Sequence, residues 1–328
     1  MSWGEPAYRG RQVFEWVQRH RVLDPSAMSN LPIALRMKLP PHTSQEVRRL
    51  HSSDQLTAKL LIRLGDGQEI EAVEMNTETG RKTVCVSTQA GCAMGCVFCV
   101  TGQFGFARNL EAGEIVEQVL RFGSAERPVT NVVFMGMGEP LANYDETLRA
   151  IGLLTHPHGL RLGARRITVS TSGVVPAIWQ LADERLQVGL AVSLHAPEDE
   201  LRSRLMPINR RWPIAEVVAA ADHYAEVTGR RVSYEYTLMA GVNDSDALAE
   251  ELANLLRGRL CHVNLIPLNP SEDQTLHAPT AERALAFEAV LRRNGIAATI
   301  RVNRGRDILA ACGQLRLAEK KRTVPVAV

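Results

Sequence analysis

The chain has 328 residues, enough to bury one large core or two domains, and its 45% apolar and 23% charged residues are ordinary for a soluble globular protein. Aromatic residues make up only 5% of the chain, which argues against a surface built from many base-stacking rings. A net charge of +2 is too small to indicate a nucleic-acid partner by itself, although paired arginines such as Arg165 and Arg166 form local basic patches.

The N-terminal residues contain no apolar signal core, and no window reaches the roughly 18 consecutive apolar residues that a membrane helix needs. The sequence therefore predicts a cytoplasmic protein that does not use a membrane. In that compartment the six cysteines are not expected to form a disulfide framework, which favours a thiolate-bound cofactor.

Residues 9–50 have a helical apolar pattern, and "SNLP" at 29–32 is typical of a helix start with proline near its first turn. This arginine-rich stretch predicts a small helical accessory domain over residues 1–52, followed by a catalytic domain over 53–328. Residues 55–75 alternate around a Gly-Asp-Gly turn, which predicts a β-hairpin extension at the start of the second domain.

Short β-branched runs follow the hairpin, and most of them are separated by stretches with helical periodicity. The runs are 83–87, 131–135, 167–170, 188–193, 232–237, 262–266 and 297–302. Strands that alternate with helices predict an α/β fold with a parallel sheet. We expect a partial (β/α)6 barrel with six core strands, to which the seventh run is an addition.

Unusual residues follow these runs at the point where each strand ends. A three-cysteine loop follows the first run, and four short motifs follow later ones: "GMGEP" at 136–140, "STSG" at 170–173, "SLH" at 193–195 and "PLNP" at 267–270. Barrel enzymes assemble their active sites at the carboxyl ends of the strands. The coincidence of these motifs therefore predicts one active site at that end of the barrel.

The three-cysteine loop has the spacing C-x3-C-x2-C and contains Cys92, Cys96 and Cys99. A structural zinc site needs a fourth ligand, which His195 or Cys261 would have to supply. Three core cysteines that merely fall close together are another possibility. An iron–sulfur cluster takes thiolates, and three of them leave one iron of a cubane open for a substrate or cofactor.

The residues around this loop resemble those of a known family. The form C-x3-C-x-F-C is similar to the radical S-adenosylmethionine (SAM) superfamily, and the longer string "CxxxCxFCxTGxxGFxRNLxxxEIxxQ", matched from Cys92 to Gln118, resembles the RlmN/Cfr family of RNA methyltransferases. "ACGQL" at 311–315 is a second, independent match. The similarity extends from about Glu5 to Leu315.

The resemblance implies a set of cofactor-binding residues. Cys92, Cys96 and Cys99 would hold a [4Fe-4S] cluster, whose open iron chelates SAM before reductive cleavage to a 5′-deoxyadenosyl radical. The positions that match the family's SAM contacts are Gly138, Glu139, Ser170, Ser193, Leu194, His195 and Asn269. An acidic side chain at Glu139 can accept a hydrogen bond from the SAM ammonium group.

The resemblance also implies catalytic roles for Cys85 and Cys312. Without it, each is typical of a buried apolar cysteine. One SAM molecule methylates Cys312, and a second yields the radical that activates the methyl group for addition to adenine, so two SAM molecules are used per turnover. Cys85 then attacks the Cys312 sulfur, and a transient disulfide releases the RNA.

A general base must remove the proton of the adenine ring carbon, and Glu71 matches the family's proton acceptor. Glu69 and Glu74 are nearby alternatives. Strand alternation puts Glu69 and Glu71 on one face and Glu74 on the other.

The implied function is methylation of C2 of a specific adenosine in large-subunit ribosomal RNA and, in some relatives, in transfer RNA. The base would have to be flipped out or single-stranded. Methylation at C8, as in the Cfr branch, a radical SAM reaction on another substrate, and a non-enzymatic RNA-binding protein are the alternatives. The family also implies a flavodoxin-type electron donor, and a monomer is expected. Relatives usually have a further N-terminal helical stretch before the residues that match the start of this sequence, so we expect either an incomplete accessory domain or a start that is placed too late.

Overall fold

The computed structural model describes residues 4–39, 44–124, 127–269, 275–301 and 304–315. Its first part is helical. Helix α1 covers Ala7–Gln18, a 3-10 turn covers Pro25–Ala27, and α2 covers Ile33–Lys38, directly after the proline of "SNLP". A small apolar cluster of their own holds these elements together, and its buried members are Met28, Leu31 and Leu35.

The hairpin extension is larger than predicted. Strand β1 (Gln45–His51) pairs antiparallel with β2 (Thr57–Arg63), and β2 pairs antiparallel with β3 (Glu69–Asn76). The helical pattern predicted through residue 50 is therefore wrong for residues 45–50. Most side chains of β1 are exposed, so the strand forms by pairing with β2 and leaves little apolar signal in its own sequence.

A small flap carries the three-cysteine loop. Strand β4 (Lys82–Cys85) pairs with β3 in the large sheet. After it, β5 (Gln89–Gly91) and β6 (Phe106–Asn109) form a separate antiparallel pair, with the short helix α3 (Val100–Gln103) between them.

The large sheet is parallel from β4 onward. Its further strands are β7 (Asn131–Phe134), β8 (Ile167–Thr171), β9 (Gly189–Ser193), β10 (Val232–Leu238), β11 (Cys261–Pro267) and β12 (Ala298–Ile300). In the described chain the sheet runs in the order β1-β2-β3-β4-β7-β8-β9-β10-β11-β12. Ile167, Val169 and Val192 are fully buried, as expected for parallel strands covered on both faces. The predicted α/β class and parallel sheet are confirmed.

Helices connect most of the parallel strands. They are α4 (Ala112–Leu120), α5 (Tyr144–Thr155), α6 (Val175–Asp183), α7 (Asp199–Leu205), α8 (Ile214–Thr228), α9 (Asp246–Leu256) and α10 (Ala281–Arg293). Helix α4 shows why they form: Glu111 and Glu114 make a capping box at its start, and Ile115 and Val119 bury one face. Within the described ranges, we find no helix that combines the length and apolar character needed to span a membrane.

Residues 304–315, the Cys312 segment, lie across the carboxyl end of the sheet and are fastened on two sides. Toward the hairpin, Arg304 Nη1 donates to the Asn76 carbonyl at 2.7 Å, and the Asp307 carboxylate accepts from the Ser53 amide at 2.7 Å. Toward the flap, the Val100 amide donates to the Gly313 carbonyl at 2.9 Å. The segment therefore bridges the hairpin and the three-cysteine loop.

Candidate functional site

A cavity opens at the carboxyl ends of the parallel strands, where the motifs predicted the active site. Its volume is about 920 Å3 including the open space at its mouth. Most of the predicted site residues lie on its wall: Cys92, Cys96, Cys99, Gly138, Glu139, Ser170, Ser193, His195, Asn269 and Cys312. The structure thus brings together side chains that are more than 200 residues apart in sequence.

The loop that carries Cys92, Cys96 and Cys99 is closed by backbone hydrogen bonds. The Cys92 amide donates to the Gly105 carbonyl at 2.8 Å, and the Cys99 amide donates to the Cys96 carbonyl at 3.1 Å. Gly91, just before the loop, has φ +83°, and a Cβ there would lie 2.0 Å from the Gly105 carbonyl oxygen. Only glycine fits at this position, because any side chain would displace the acceptor of the Cys92 amide.

The three cysteines fit a cationic iron–sulfur centre. Burial raises the pKa of each thiol, that of Cys92 to about 11, and the charge of Cys99 raises the pKa of both Cys92 and Cys96 further. Such thiols become thiolates when a strong cation shares their space. Across the described residues, no three potential ligands are placed to hold one metal ion, whereas a cubane cluster takes thiolates spread around a common space.

Gly138 and Glu139 form the next part of the wall. Gly138 has φ +100°, and a Cβ there would lie 2.6 Å from Gln89 Cβ, so the close approach to the flap requires glycine. Glu139 is 3% exposed, and its carboxylate accepts from the Ser172 amide at 2.7 Å, the Ser172 hydroxyl at 2.8 Å and the Leu141 amide at 3.0 Å. Burial raises the pKa of Glu139, and these bonds oppose that rise. A carboxylate has acceptor capacity beyond three bonds, so it can also accept from an ammonium group.

His195 is held in a single orientation and tautomer. It has φ 60°, and its Nδ1 accepts from the Thr237 amide at 2.8 Å, which leaves the proton on Nε2. Asn243 fixes the backbone by donating to the carbonyls of His195 and Thr237 at 2.8 and 2.7 Å. The ring of Phe98, between the second and third cysteines, meets the imidazole edge-on with centroids 4.6 Å apart. His195 therefore presents a neutral Nε2–H donor.

Burial, and secondarily the charge of Arg202, lowers the pKa of His195 to about 3. The unfolded chain binds a proton at this residue near its ordinary pKa of about 6.5, whereas the folded chain does not, so stability falls as the pH drops from 6.5 toward 3. We expect this residue to lower the free energy of unfolding by about 2 kcal/mol between pH 7 and pH 5. The test is urea unfolding of a His195→Asn variant, since asparagine tolerates the positive φ. This variant should lose that much less stability over the same pH range. Parallel pH profiles for the two proteins would contradict this expectation.

The remaining positions predicted to contact SAM differ in their surroundings. Ser170 and Ser193 lie on the wall at the ends of β8 and β9. Asn269 Nδ2 donates to the Cys312 carbonyl at 3.3 Å, and its buried Oδ1 has no hydrogen-bond partner among the described residues, which suits a ligand donor. Leu194 is fully buried and does not line the cavity; its carbonyl accepts from Arg202 Nε at 3.2 Å.

Arg202, which the sequence analysis missed, ties two strand ends together below the cavity. The side chain is fully buried, and Nη2 donates to the carbonyls of Ser172 and Ser193 at 2.8 and 3.0 Å. Nη1 donates to Asn209 Oδ1 at 2.6 Å. Burial lowers the pKa of Arg202 to about 10. A single arginine on a charged helix gives no sequence signal of burial, so this role emerges only from the packing.

A second cavity adjoins the first. Cys312 and Arg301 line both, and Cys85 lines the second, which measures about 1130 Å3 with its open mouth. Cys312 is exposed, whereas Cys85 is 6% exposed on β4. Burial raises the pKa of Cys85 to about 12, and the charge of Cys312 adds to this. The two cysteines singled out by the sequence therefore face the same space.

Glu71 lies on β3 and is 1% exposed. Lys59 Nζ is 3.1 Å from Glu71 Oε1 and donates to the Leu309 carbonyl of the Cys312 segment at 3.1 Å. Val73 pairs with Cys85, so Glu71 shares the sheet face of Cys85 at a diagonal spacing of roughly 7–8 Å. Glu71 is not on the wall of either cavity, and the structure therefore places it beside Cys85 without exposing it to the same space.

The two alternatives to Glu71 lie in different surroundings. Glu69 pairs with Arg63 at 2.8 Å near the hairpin turn, and Glu74 pairs with Lys82 at 2.9 Å. Both are more exposed than Glu71. Of the three carboxylates, Glu71 is therefore the most deeply buried.

Arg301 and Glu235 also belong to the site and were missed. Arg301 follows β12 directly, and Glu235 is a charged residue in the middle of the buried strand β10. Two signals were available: a polar residue at a strand's carboxyl end, and an acidic residue within an otherwise apolar strand. Neither signal says which partner the residue would meet.

Comparisons with known proteins agree with this geometry. Two family models match the chain: that of the Radical SAM superfamily over residues 86–255, and that of the ribosomal RNA large subunit methyltransferase N-terminal domain over residues 1–44. A solved structure of a radical SAM methyltransferase from Sphaerobacter thermophilus superposes with a TM-score of 0.93 and 55% identity, covering 95% of this chain and 94% of that one. The predicted partial barrel with its helical and hairpin additions is confirmed.

Two curated relatives have the same printed description, "Probable dual-specificity RNA methyltransferase RlmN". That of Symbiobacterium thermophilum is 50% identical over 322 residues, which cover 95% of this chain and 86% of the relative. That of Moorella thermoacetica is 48% identical over 332 residues, which cover 97% and 93% respectively. The similarity thus extends over nearly the whole length of both proteins.

Proposed function

Since the chain belongs to the RlmN family of the radical SAM superfamily, as its motifs predicted, we propose that it methylates C2 of an adenosine in RNA. One observation carries this proposal: Cys312 lines both the cavity of the three cluster cysteines and the cavity that contains Cys85. A radical SAM enzyme that acts on a small molecule has no need of two further cysteines at that junction. We infer that large-subunit ribosomal RNA, and transfer RNA as a second substrate, supply the adenosine.

We assign the cofactor groups to the residues of the first cavity. Cys92, Cys96 and Cys99 would hold a [4Fe-4S] cluster, and Glu139, with its carboxylate held by Ser172, would receive the SAM ammonium group. When bound, the cluster and SAM supply a 5′-deoxyadenosyl radical. The Nε2–H of His195 and the free Oδ1 of Asn269 offer a donor and an acceptor for the rest of SAM.

The remaining SAM positions carried over from the family are Gly138, Ser170, Ser193 and Leu194. Because Gly138 has no side chain, the backbone can approach a ligand closely there, and the serine hydroxyls lie on the wall. Leu194 is fully buried, so its part is limited to packing beneath the site.

Cys312 would act first as a nucleophile. Its thiolate attacks the methyl carbon of one SAM molecule. An S–CH3 bond forms, and S-adenosylhomocysteine leaves. The methyl group would lose one hydrogen atom to the radical that the cluster and the second SAM molecule supply, and its carbon would become joined to C2 of the adenine. The electron left over when the C2 proton departs would return to the cluster. RNA and protein are then linked through a methylene group on the Cys312 sulfur.

Glu71 and Cys85 would complete the reaction. Glu71 accepts the C2 proton, a task supported by its position on the sheet face of Cys85. The Cys85 thiolate attacks the Cys312 sulfur, the C–S bond breaks, and the released methylene carbon takes up a proton to become the methyl group. The Cys85–Cys312 disulfide that remains is reduced by external thiols.

We propose that the RNA reaches Cys312 through the second cavity, which is open to solvent and leads to both cysteines. The helical segment within residues 1–52, the accessory domain, would add basic contacts to the RNA backbone. Its match to the N-terminal domain model supports this assignment. A flavodoxin-type protein would deliver electrons to a monomer in the cytoplasm.

The proposal is tested by mass spectrometry of anaerobically purified protein, focused on the peptide that contains Cys312. We expect a methyl group on Cys312 and, after incubation with SAM, reductant and RNA, a 2-methyladenosine in the digested RNA. A methyl group at C8 would retain the mechanism and move the function to the Cfr type. An unmodified Cys312 in protein with an intact cluster would overturn the two-cysteine mechanism.

A further inference from the structure

The two cavities meet at Arg301, which follows the last strand of the sheet. Its backbone amide donates to the Leu265 carbonyl at 2.8 Å, so the residue is fixed at the carboxyl end of β11 and β12. Cys312 shares both cavities with it, and Cys85 shares the second. Among the described residues, Arg301 is therefore the cationic residue on the wall that the two cavities share.

Arg301 is oriented from behind by a buried carboxylate. Arg301 Nη1 donates to Glu235 Oε2 at 3.5 Å, and Asn264 Nδ2 donates to Glu235 Oε1 at 2.8 Å. Glu235 is 4% exposed, and burial raises its pKa while the charge of Arg301 opposes that rise. The contact between Arg301 and Glu235 is long, so the guanidinium group is anchored without being fully engaged as a hydrogen-bond donor.

The charges on both sulfurs act on this guanidinium group. The pKa of Arg301 is raised, first by the charge of Cys312, and further by those of Glu235 and Cys85, while burial opposes the rise. Conversely, Arg301 opposes the burial that raises the pKa of Cys85. Arg304, a second arginine of the same cavity, is instead directed to the Asn76 carbonyl.

We propose that Arg301 is the cation that holds the Cys312 and Cys85 sulfurs as nucleophilic thiolates, with Glu235 and Asn264 as its positioning residues. The proposal rests on the proposed function. In the first step Arg301 stabilises the Cys312 thiolate until the S–CH3 bond forms and S-adenosylhomocysteine leaves. In the last step it stabilises the Cys85 thiolate until the disulfide forms and the Cys312–carbon bond breaks.

In this arrangement the charge of Arg301 opposes the effect of burial on the Cys85 thiol. A thiol in an apolar site holds its proton tightly, and Cys85 lies in such a site. Arginine stays charged in a partly buried position, and its planar fork can face two sulfurs at once. A single cation between the two cysteines can therefore serve the methyl-accepting and the disulfide-forming step without a second base.

The test uses protein that is produced without its cluster and then reconstituted with iron and sulfide in the absence of SAM, so that mass spectrometry finds no methyl group on Cys312 at the start. It measures alkylation of Cys312 by iodoacetamide at pH 7, read by mass spectrometry over time. We expect Arg301→Met to slow alkylation roughly tenfold, because the guanidinium group no longer stabilises the negative charge of the attacking sulfur. Arg301→Lys, which retains the charge, should recover most of the rate. Arg81→Met removes a charge from the wall of the same second cavity and should leave the rate unchanged.

Equal alkylation rates in wild type and Arg301→Met would overturn the proposal, and so would an equal loss in Arg81→Met. Iron content shows whether each variant keeps its cluster, and Arg301→Gln replaces Arg301→Met if the latter loses it. Alkylation needs neither RNA nor turnover. Wild-type protein that is purified with its cluster and has no methyl group on Cys312 would refute the proposed function. The alkylation rates would still decide the role of Arg301.

Discussion

Replacing Cys85 with alanine is expected to trap RNA on the protein through a covalent bond at Cys312 and to limit methylation to about one event per chain. Cys85 shares the second cavity with Cys312, so it is placed to attack that sulfur. Alanine at 85 removes the attacking thiolate, but it leaves Cys312 and the first cavity unchanged. The C–S bond between RNA and protein then has no route to cleavage.

The adduct is measured by denaturing gel electrophoresis and by mass spectrometry of the nuclease-treated Cys312 peptide. Cys261→Ala is the matched control, because Cys261 is a half-buried cysteine on the same sheet that lines neither cavity. It should turn over normally and accumulate no adduct. Free RNA product from Cys85→Ala at the wild-type rate would show that another group resolves the intermediate.

Replacing Lys59 with methionine is expected to lower the free energy of unfolding by about 3–5 kcal/mol. Lys59 and Glu71 are paired at 3.1 Å, with side chains 6% and 1% exposed. Methionine preserves the length of the side chain but leaves the Glu71 carboxylate buried beside an apolar group. The same substitution also removes the hydrogen bond to the Leu309 carbonyl.

Urea unfolding of the double variant Lys59→Met/Glu71→Gln separates the causes of this loss. If the loss of the Lys59 charge beside the buried Glu71 carboxylate is responsible, the neutral double variant should recover most of the lost stability. The double variant should still give no free methylated RNA, because it lacks the proposed base. Equal destabilisation of the single and the double variant would show that the Leu309 bond, and not the buried charge, dominates.

Much of the fold and of the site could be predicted from the sequence because both follow simple geometric rules. Parallel strands bring their carboxyl ends to one edge, so motifs after different strands, such as Glu139 and His195, meet there. Strand β1 could not be predicted, because its exposed residues form a strand only by pairing with β2. The register of β2 and β3, which brings Lys59 to Glu71, is likewise invisible in a single sequence.

The partners of the buried polar residues could not be predicted from the sequence either. Arg202 and Arg301 look like many other arginines of the chain, and only packing distinguishes them. Arg202 donates to carbonyls at the carboxyl ends of β8 and β9, and Arg301 donates to the carboxylate of Glu235 on β10. A pattern in sequence predicts which face of an element is buried, but a hydrogen-bond partner depends on the three-dimensional neighbours.

The fastening of the Cys312 segment has a consequence for the order of assembly. Its contacts with Ser53, Lys59 and Thr101 join residues 254, 250 and 214 positions apart, so they close some of the longest loops in the chain. Contacts between such distant residues form late in folding, after local elements are in place. The sulfur that is to carry the methyl group is therefore positioned only once the hairpin and the three-cysteine loop exist, and an incomplete chain lacks a formed site to modify.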